Sequence, residues 1–199
     1  MNNEREYRSF NLIQRSETEE PEYIVEGYAS TFEPYVLFRD GDTEYFEQID
    51  PKAFDDADFS DCVFRVDHEG PVYARTSAGT VKLDIDDNGL HSVTDLSKTS
   101  RGRQLYEDIR AGNYPQMSFA FTIAKDSFDR ASRTRIIDRI DKVFDIAAVT
   151  WPANPTTSLS ARSRELIDGE IERDRAERLE EQRKADAVER INKALKKEA

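Results

Sequence analysis

The chain is short of most of the residues from which binding sites and cross-links are commonly built. It has one cysteine, Cys62, which excludes an internal disulfide framework and a multi-cysteine zinc site. It has two histidines, His68 and His91, too few for a histidine-rich metal centre. No apolar run approaches the roughly 18 residues of a membrane span. The opening residues, MNNEREYRSFNLIQRSETEEPE, are too polar for a signal peptide. P-loop and GxGxxG patterns are missing, so a dedicated nucleotide site has no support. Basic residues number 29 against 41 acidic ones, a net charge of −12, which argues against a nucleic-acid or anionic-lipid binder. A cytoplasmic protein with no metal, no cofactor, and neither nucleic acid nor membrane as partner is the expectation.

What remains is 199 residues, 37% apolar and 35% charged, enough for one compact domain and an appendage. Residues 1–21 are polar and are expected to be loosely held. Residues 23–29 and 43–49 read as strands. Asp50-Pro51 marks the start of a short helix, with Pro at a first helical position. Residues 62–66 (CVFRV) have strand length and run into a polar turn, Asp67-His68-Glu69-Gly70-Pro71. Residues 80–85 and 90–96 flank Asp86-Asp87-Asn88-Gly89 and make a hairpin. Residues 97–113 read as a helix with Leu105 and Ile109 on one face and Gly112-Asn113 at its end. Residues 117–124, 134–144 and 145–151 are three further apolar or alternating runs, the last stopped by Pro152-Ala153-Asn154-Pro155. Many strands and few helices predict an α+β, mainly β fold, a barrel or sandwich with peripheral helices. Residues 161–199 are dense in Arg, Glu, Lys and Ala and read as a charged helix. Val188, Ile191 and Leu195 give it a narrow apolar stripe, suited to a solvated helix with one docking seam or to a partner-binding helix.

Three residues stand out as candidates for chemistry. His68 sits in a turn just after an apolar strand, and imidazole titrates nearest neutral pH, as a general base requires. Ser118 lies in Gln116-Met117-Ser118-Phe119-Ala120-Phe121, without the GxSxG elbow of α/β-hydrolases. It is either a strand serine bonded to backbone or a nucleophile activated by imidazole. Asp145 interrupts an apolar run, and a buried carboxylate must be paired. It is either a satisfied structural acid or the orienter of a histidine. Cys62 looks like a packed, inert strand residue rather than a nucleophile. A carboxylate-only hydrolase remains open, though no pair of the 41 acids is marked out by spacing.

Taken in order, these segments resemble the prohead maturation proteases of tailed bacteriophages. The matching pieces are Glu26-Gly27-Tyr28-Ala29-Ser30-Thr31-Phe32, Glu47-Gln48-Ile49-Asp50-Pro51-Lys52-Ala53-Phe54, Val66-Asp67-His68, Asp87-Asn88-Gly89-Leu90, Gln116 to Phe121, and Asp145-Ile146-Ala147-Ala148-Val149-Thr150-Trp151-Pro152-Ala153-Asn154-Pro155. They span residues 22–160, which the resemblance marks as the protease domain between the polar segment 1–21 and the helical extension 161–199. It implies a serine endopeptidase with a β-barrel similar to that of the herpesvirus assembly protease. It places the nucleophile at Ser118, the histidine at His68 and the acid at Asp145, where the family more often has glutamate. The related herpesvirus enzymes use a second histidine, which makes His91 the rival third member; Asp145 is favoured. Oxyanion donors are expected among backbone N–H groups near Ser118 or from Arg130, Arg133 or Arg135.

The substrates implied are the major capsid protein and a scaffold segment, cleaved inside the prohead in the infected cell's cytoplasm. Self-cleavage is implied too, and copies of the chain can associate; a cut near residues 155–170 would mark a scaffold whose protease releases its own tail. The competing reading is a non-catalytic or self-cleaving assembly scaffold on the same fold, in which the helical tail does the work.

Overall fold

The computed structural model describes residues 4–10, 13–15, 23–151 and 161–195. The chain divides into two units, residues 1–160 and 161–199. The first is built mainly of strands. In chain order these are β1 (Glu6–Phe10), β2 (Ile13–Arg15), β3 (Ile24–Thr31), β4 (Tyr35–Asp40), β5 (Thr43–Ile49), β6 (Val63–Val66), β7 (Glu69–Arg75), β8 (Val81–Ile85), β9 (Gly89–Asp95), β10 (Gln116–Asp129) and β11 (Thr134–Val149). One helix, α1 (Ser100–Arg110), separates β9 from β10. The second unit is a single helix, α2 (Ala161–Leu195).

The larger sheet runs β1-β10-β11-β5-β4, and the smaller runs β2-β3-β9-β8. The larger sheet branches at β11, whose length lets two strands share one edge in tandem. β5 pairs in parallel with Thr134–Ile137, and β6 pairs in parallel with Asp145–Ala148 and carries β7 beyond it. This branching takes the place of the expected barrel closure, which is not found among the described residues.

β10 is an interior strand of the larger sheet. It is paired on both sides, and residues 117–123 are buried without a break, so it reads as a continuous apolar run rather than an alternating one. Phe119 and Phe121 lie two apart, share the core face and stack with ring centroids 4.3 Å apart. With Phe10, Phe54, Phe64, Ile146 and Met117 they form the core.

Several elements follow from the sequence directly. The hairpin expected around Asn88-Gly89 is β8–β9, with Ile85 opposite Leu90. Gly89 is required there, because a Cβ would sit 2.0 Å from the Ser30 carbonyl oxygen. The expected helix is α1. Thr99 caps it by accepting from the Gly102 N–H at 2.9 Å, and Leu105, Tyr106 and Ile109 are buried. The Asp50-Pro51 signal yields a single 3-10 turn, Pro51–Phe54. Residues 134–144 and 145–151, expected as two runs, are mostly one strand. The stop expected at Pro152-Ala153-Asn154-Pro155 lies outside the described residues. α2 is laced with ion pairs along its surface, such as Arg178–Asp174 at 3.0 Å and Lys184–Glu180 at 2.6 Å. Val188 of its expected stripe is exposed; the side chains of Ile191 and Leu195 lie outside the described residues.

The largest departure is at the N-terminus. Residues 6–10, expected to be loosely held, form β1 and pair with β10 from Glu6 opposite Phe121 to Phe10 opposite Met117. The polar residues responsible for that expectation are buried in an ion network. Arg8 is paired with Glu6 at 2.7 Å and with Glu47, and Arg135 is paired with Glu6 at 3.0 Å, Glu47 at 2.7 Å and Asp126 at 2.8 Å. Tyr35 donates its hydroxyl to Glu47. Charge that reads as surface in the sequence is here internal, because each charged group has opposite charges as partners.

Candidate active site

The register of the larger sheet fixes which side chains share a face. Ser118 is opposite Ser9 on β1 and Ala147 on β11, and Ala147 in turn is opposite Arg65 on β6. One row along, Asp145 is opposite Ala120 on β10, which is opposite Tyr7 on β1. Ser118 and Asp145 therefore occupy the same face, opposite to Phe119 and Ile146, with only alanines between them.

Asp145 reaches that face through a bulge. Ala120 pairs with Asp145, but Phe121 pairs with Val143, so Phe144 is an extra residue on β11. Without it, Val143 and Asp145, two apart, would point the same way. With it, Val143 stays in the core and the carboxylate turns to the other side.

His68 comes from a different kind of element. β6 and β7 are joined through Asp67 and His68, with Val66 opposite Glu69. Both turn residues are left-handed, at φ 47° and 59°. This is the backbone of a type I′ hairpin turn, which matches strand twist and normally uses Asn-Gly. Two non-glycine residues in this region carry strain, and such strain collects at functional sites. The turn holds the imidazole over the face that bears Ser118 and Asp145. The Tyr7 ring packs edge-on against it at 4.6 Å.

The three side chains form one hydrogen-bonded chain. His68 Nδ1 is 2.6 Å from Asp145 Oδ1, and His68 Nε2 is 2.7 Å from Ser118 Oγ. Asp145 accepts only, so a neutral imidazole carries its proton on Nδ1 and leaves Nε2 free to accept. The Ser118 hydroxyl also lies 2.7 Å from the Arg8 carbonyl oxygen. One hydroxyl hydrogen serves one acceptor at a time, so the carbonyl and Nε2 compete for it. Ser118 is fully buried and Asp145 nearly so, whereas the His68 side chain is 13% exposed.

The other sequence candidates are not members of this hydrogen-bonded chain. His91 is on β9 in the smaller sheet, opposite Tyr28 and Asp84, with Nε2 3.1 Å from Glu26. Cys62 is buried, and burial first, then the Asp145 charge, pushes its thiol up to about 12, far from a thiolate at neutral pH. Arg130 and Arg133 lie in the turn that joins β10 to β11. Arg135 is committed to Glu6, Glu47 and Asp126. The backbone N–H groups beside Ser118 belong to a strand paired on both sides. No group of three or more His, Cys, Asp or Glu side chains able to hold a metal ion occurs among the described residues.

Sequence reasoning assigned no role to the groups that hold the His68 turn. Asp67 accepts from the Thr150 N–H at 2.8 Å and from the Thr150 hydroxyl at 2.9 Å. Arg65 Nη1 donates to the His68 carbonyl at 3.1 Å. The signal was the placement of Asp67 beside His68 and Thr150 beside Val149, inside two of the matching segments.

A family model described as caudovirus prohead serine protease matches residues 10–170. No curated protein and no solved structure matches the chain.

Proposed function

The chain belongs to the caudovirus prohead serine protease family, and we propose that it is an active endopeptidase with Ser118 as nucleophile, His68 as general base and acid, and Asp145 as the acid that orients His68. The observation that carries this reading is the unbroken hydrogen-bonded chain from Asp145 through His68 to Ser118, at 2.6 and 2.7 Å. Its three members come from a strand, a turn and a second strand far apart in sequence.

In the proposed reaction, His68 Nε2 takes the hydroxyl proton as Ser118 Oγ attacks the scissile carbonyl. The tetrahedral adduct collapses, and His68 returns the proton to the leaving amine. Water then attacks the acyl-enzyme with His68 again as base. Asp145 holds the imidazole in the tautomer that leaves Nε2 unprotonated, and it stabilises the imidazolium formed in each step.

The family is one of phage capsid maturation proteases. The finer reading is that this chain cleaves the major capsid protein and a scaffold segment inside the prohead, in the host cytoplasm, and cuts itself. No helix among the described residues is long and apolar enough to cross a membrane. The same reading includes a fold related to the herpesvirus assembly protease, supported by a strand-rich unit with a helix at its periphery.

The test is intact-mass analysis of the wild type and Ser118→Ala, each assembled into proheads with its capsid precursor. Defined cuts in the wild type alone are expected. Cuts that persist in Ser118→Ala would remove Ser118 as nucleophile. Uncut precursor in assembled wild-type proheads would favour the non-catalytic scaffold.

A further inference from the structure

We infer that Asp67 is a positioning residue for the reaction: its carboxylate clamps the strained turn that carries His68 to the end of the strand that carries Asp145. The inference rests on the triad reading above.

β11 is the common reference for all three members. Asp145 lies on it, and Ser118 is fixed to it by pairing with Ala147. His68 has no such anchor of its own, because the β6–β11 pairing ends at Val66 opposite Ala148 and the histidine stands two residues beyond. Asp67 closes that gap three times over. Its N–H donates to the Ala148 carbonyl at 3.0 Å, and its two carboxylate oxygens take the N–H and hydroxyl of Thr150 at 2.8 and 2.9 Å. The bond from Arg65 to the His68 carbonyl braces the other side of the turn. A hairpin needs none of these contacts in order to close. They fix where a two-residue turn stands relative to β11, which is the coordinate that sets the His68–Asp145 and His68–Ser118 distances.

The contacts around Asp67 and Thr150 are exposed to solvent, so their loss costs little stability. Geometry is far less forgiving, since a displacement of 1 Å can cost about 10²-fold in rate.

The experiment uses the full chain and three variants. Asp67→Gly keeps a left-handed residue in the turn and removes the carboxylate. Asp67→Asn keeps an oxygen for the Thr150 N–H, offers its amide to the Thr150 hydroxyl, and tolerates the same backbone. Thr150→Val removes only the hydroxyl arm. The readouts are the rate of Ser118 labelling by a small fluorophosphonate, kcat and KM on the capsid precursor, and the downfield Nδ1–H proton resonance of His68. That resonance is identified by its persistence in His91→Gln. In Asp67→Gly, labelling and kcat are expected to fall by about 10- to 100-fold, with KM and melting temperature little changed and the resonance broadened. Asp67→Asn is expected to restore most of the rate and the sharp resonance, with Thr150→Val in between. Wild-type labelling in Asp67→Gly, or an Asp67→Asn that falls as far as Asp67→Gly, overturns the clamp while leaving the triad standing. A wild type that neither labels nor cleaves overturns the triad, and the clamp with it.

Discussion

Arg135→Met is the perturbation that tests how the larger sheet is held together. Arg135 gives Nη1 to Glu47 at 2.7 Å and Glu6 at 3.0 Å, and Nη2 and Nε to Asp126 at 2.8 and 3.0 Å. The side chains of all four are nearly covered, Asp126 being the most exposed at 4%, and they lie on β1, β5, β10 and β11. Removing the arginine takes from Glu6, Glu47 and Asp126 a counter-charge that all three share. Breaking a buried ion pair by deleting one partner costs about 3–5 kcal/mol, because the other charge stays buried. Against a total stability of about 5–15 kcal/mol this is a large fraction. At about 2–4 °C per kcal/mol for a chain of this size, the melting temperature should fall by about 6–20 °C.

The pH dependence separates this cause from a simple packing defect. Burial alone would raise the Glu47 carboxyl; Arg8 and then Arg135 outweigh it and hold it below its ordinary value. In the wild type its contribution is therefore present above the unfolded carboxyl value of about 4.3 and is lost only as pH falls below that. Between pH 7.5 and 5 the wild type should not respond through this group. Without Arg135, burial and Glu6 push the Glu47 carboxyl up, with Arg8 left to oppose them. The folded variant then binds more protons than the unfolded chain, and its stability rises as pH falls. Urea titration followed by circular dichroism at pH 7.5 and 5 should show a penalty that shrinks at the lower pH. A penalty below about 1 kcal/mol, or one that is the same at both pH values, would refute the reasoning.

Two further expectations concern the site. Asp145→Asn should lower kcat by about 10⁴-fold, because an amide facing Nδ1 favours the wrong tautomer; His91→Gln should leave kcat within about twofold, since His91 and its partner Glu26 both lie in the smaller sheet, away from the sheet that carries Ser118 and Asp145. The opposite pattern in steady-state kinetics would move the third member to His91. Iodoacetamide at pH 7.5 should leave activity intact, because the buried Cys62 thiol is pushed up to about 12. Rapid inactivation accompanied by alkylation of Cys62 would contradict that placement.

What could be read from sequence, and what could not, follows from whether a feature is local. The β8–β9 hairpin and α1 were legible because their signals lie within a few residues. Asp86 accepts from the Asn88 N–H at 2.7 Å, and Thr99 caps Gly102. β1 was not legible, because the partners that make its charges buriable are Glu47 and Arg135, distant in sequence. An Arg or Glu whose counter-ion comes from another strand looks like a surface residue. β7 was hidden for a related reason. The Asp67-His68 turn uses two residues that rarely sit together in a left-handed pair, so the polar run 67–71 read as a loop instead of a hairpin.

The same distinction explains why the candidate residues were visible one by one while their constellation was not. Asp145 stood out because an acid in an apolar run needs a partner. Alternation along β11, however, would have put Asp145 on the face of Val143, in the core. Only the extra residue at Phe144 reverses the phase, and a bulge appears in pairing, not in composition. His68 likewise reaches Asp145 because β6 lies parallel to β11 in a register that ends with Val66 opposite Ala148. The site is thus assembled from three departures from regular β-structure: a polar residue in a buried interior strand, a bulge, and a strained turn. Each departure costs stability where it occurs. They converge on one hydrogen-bonded chain, and that convergence is the strongest physical argument that the arrangement serves chemistry and not packing.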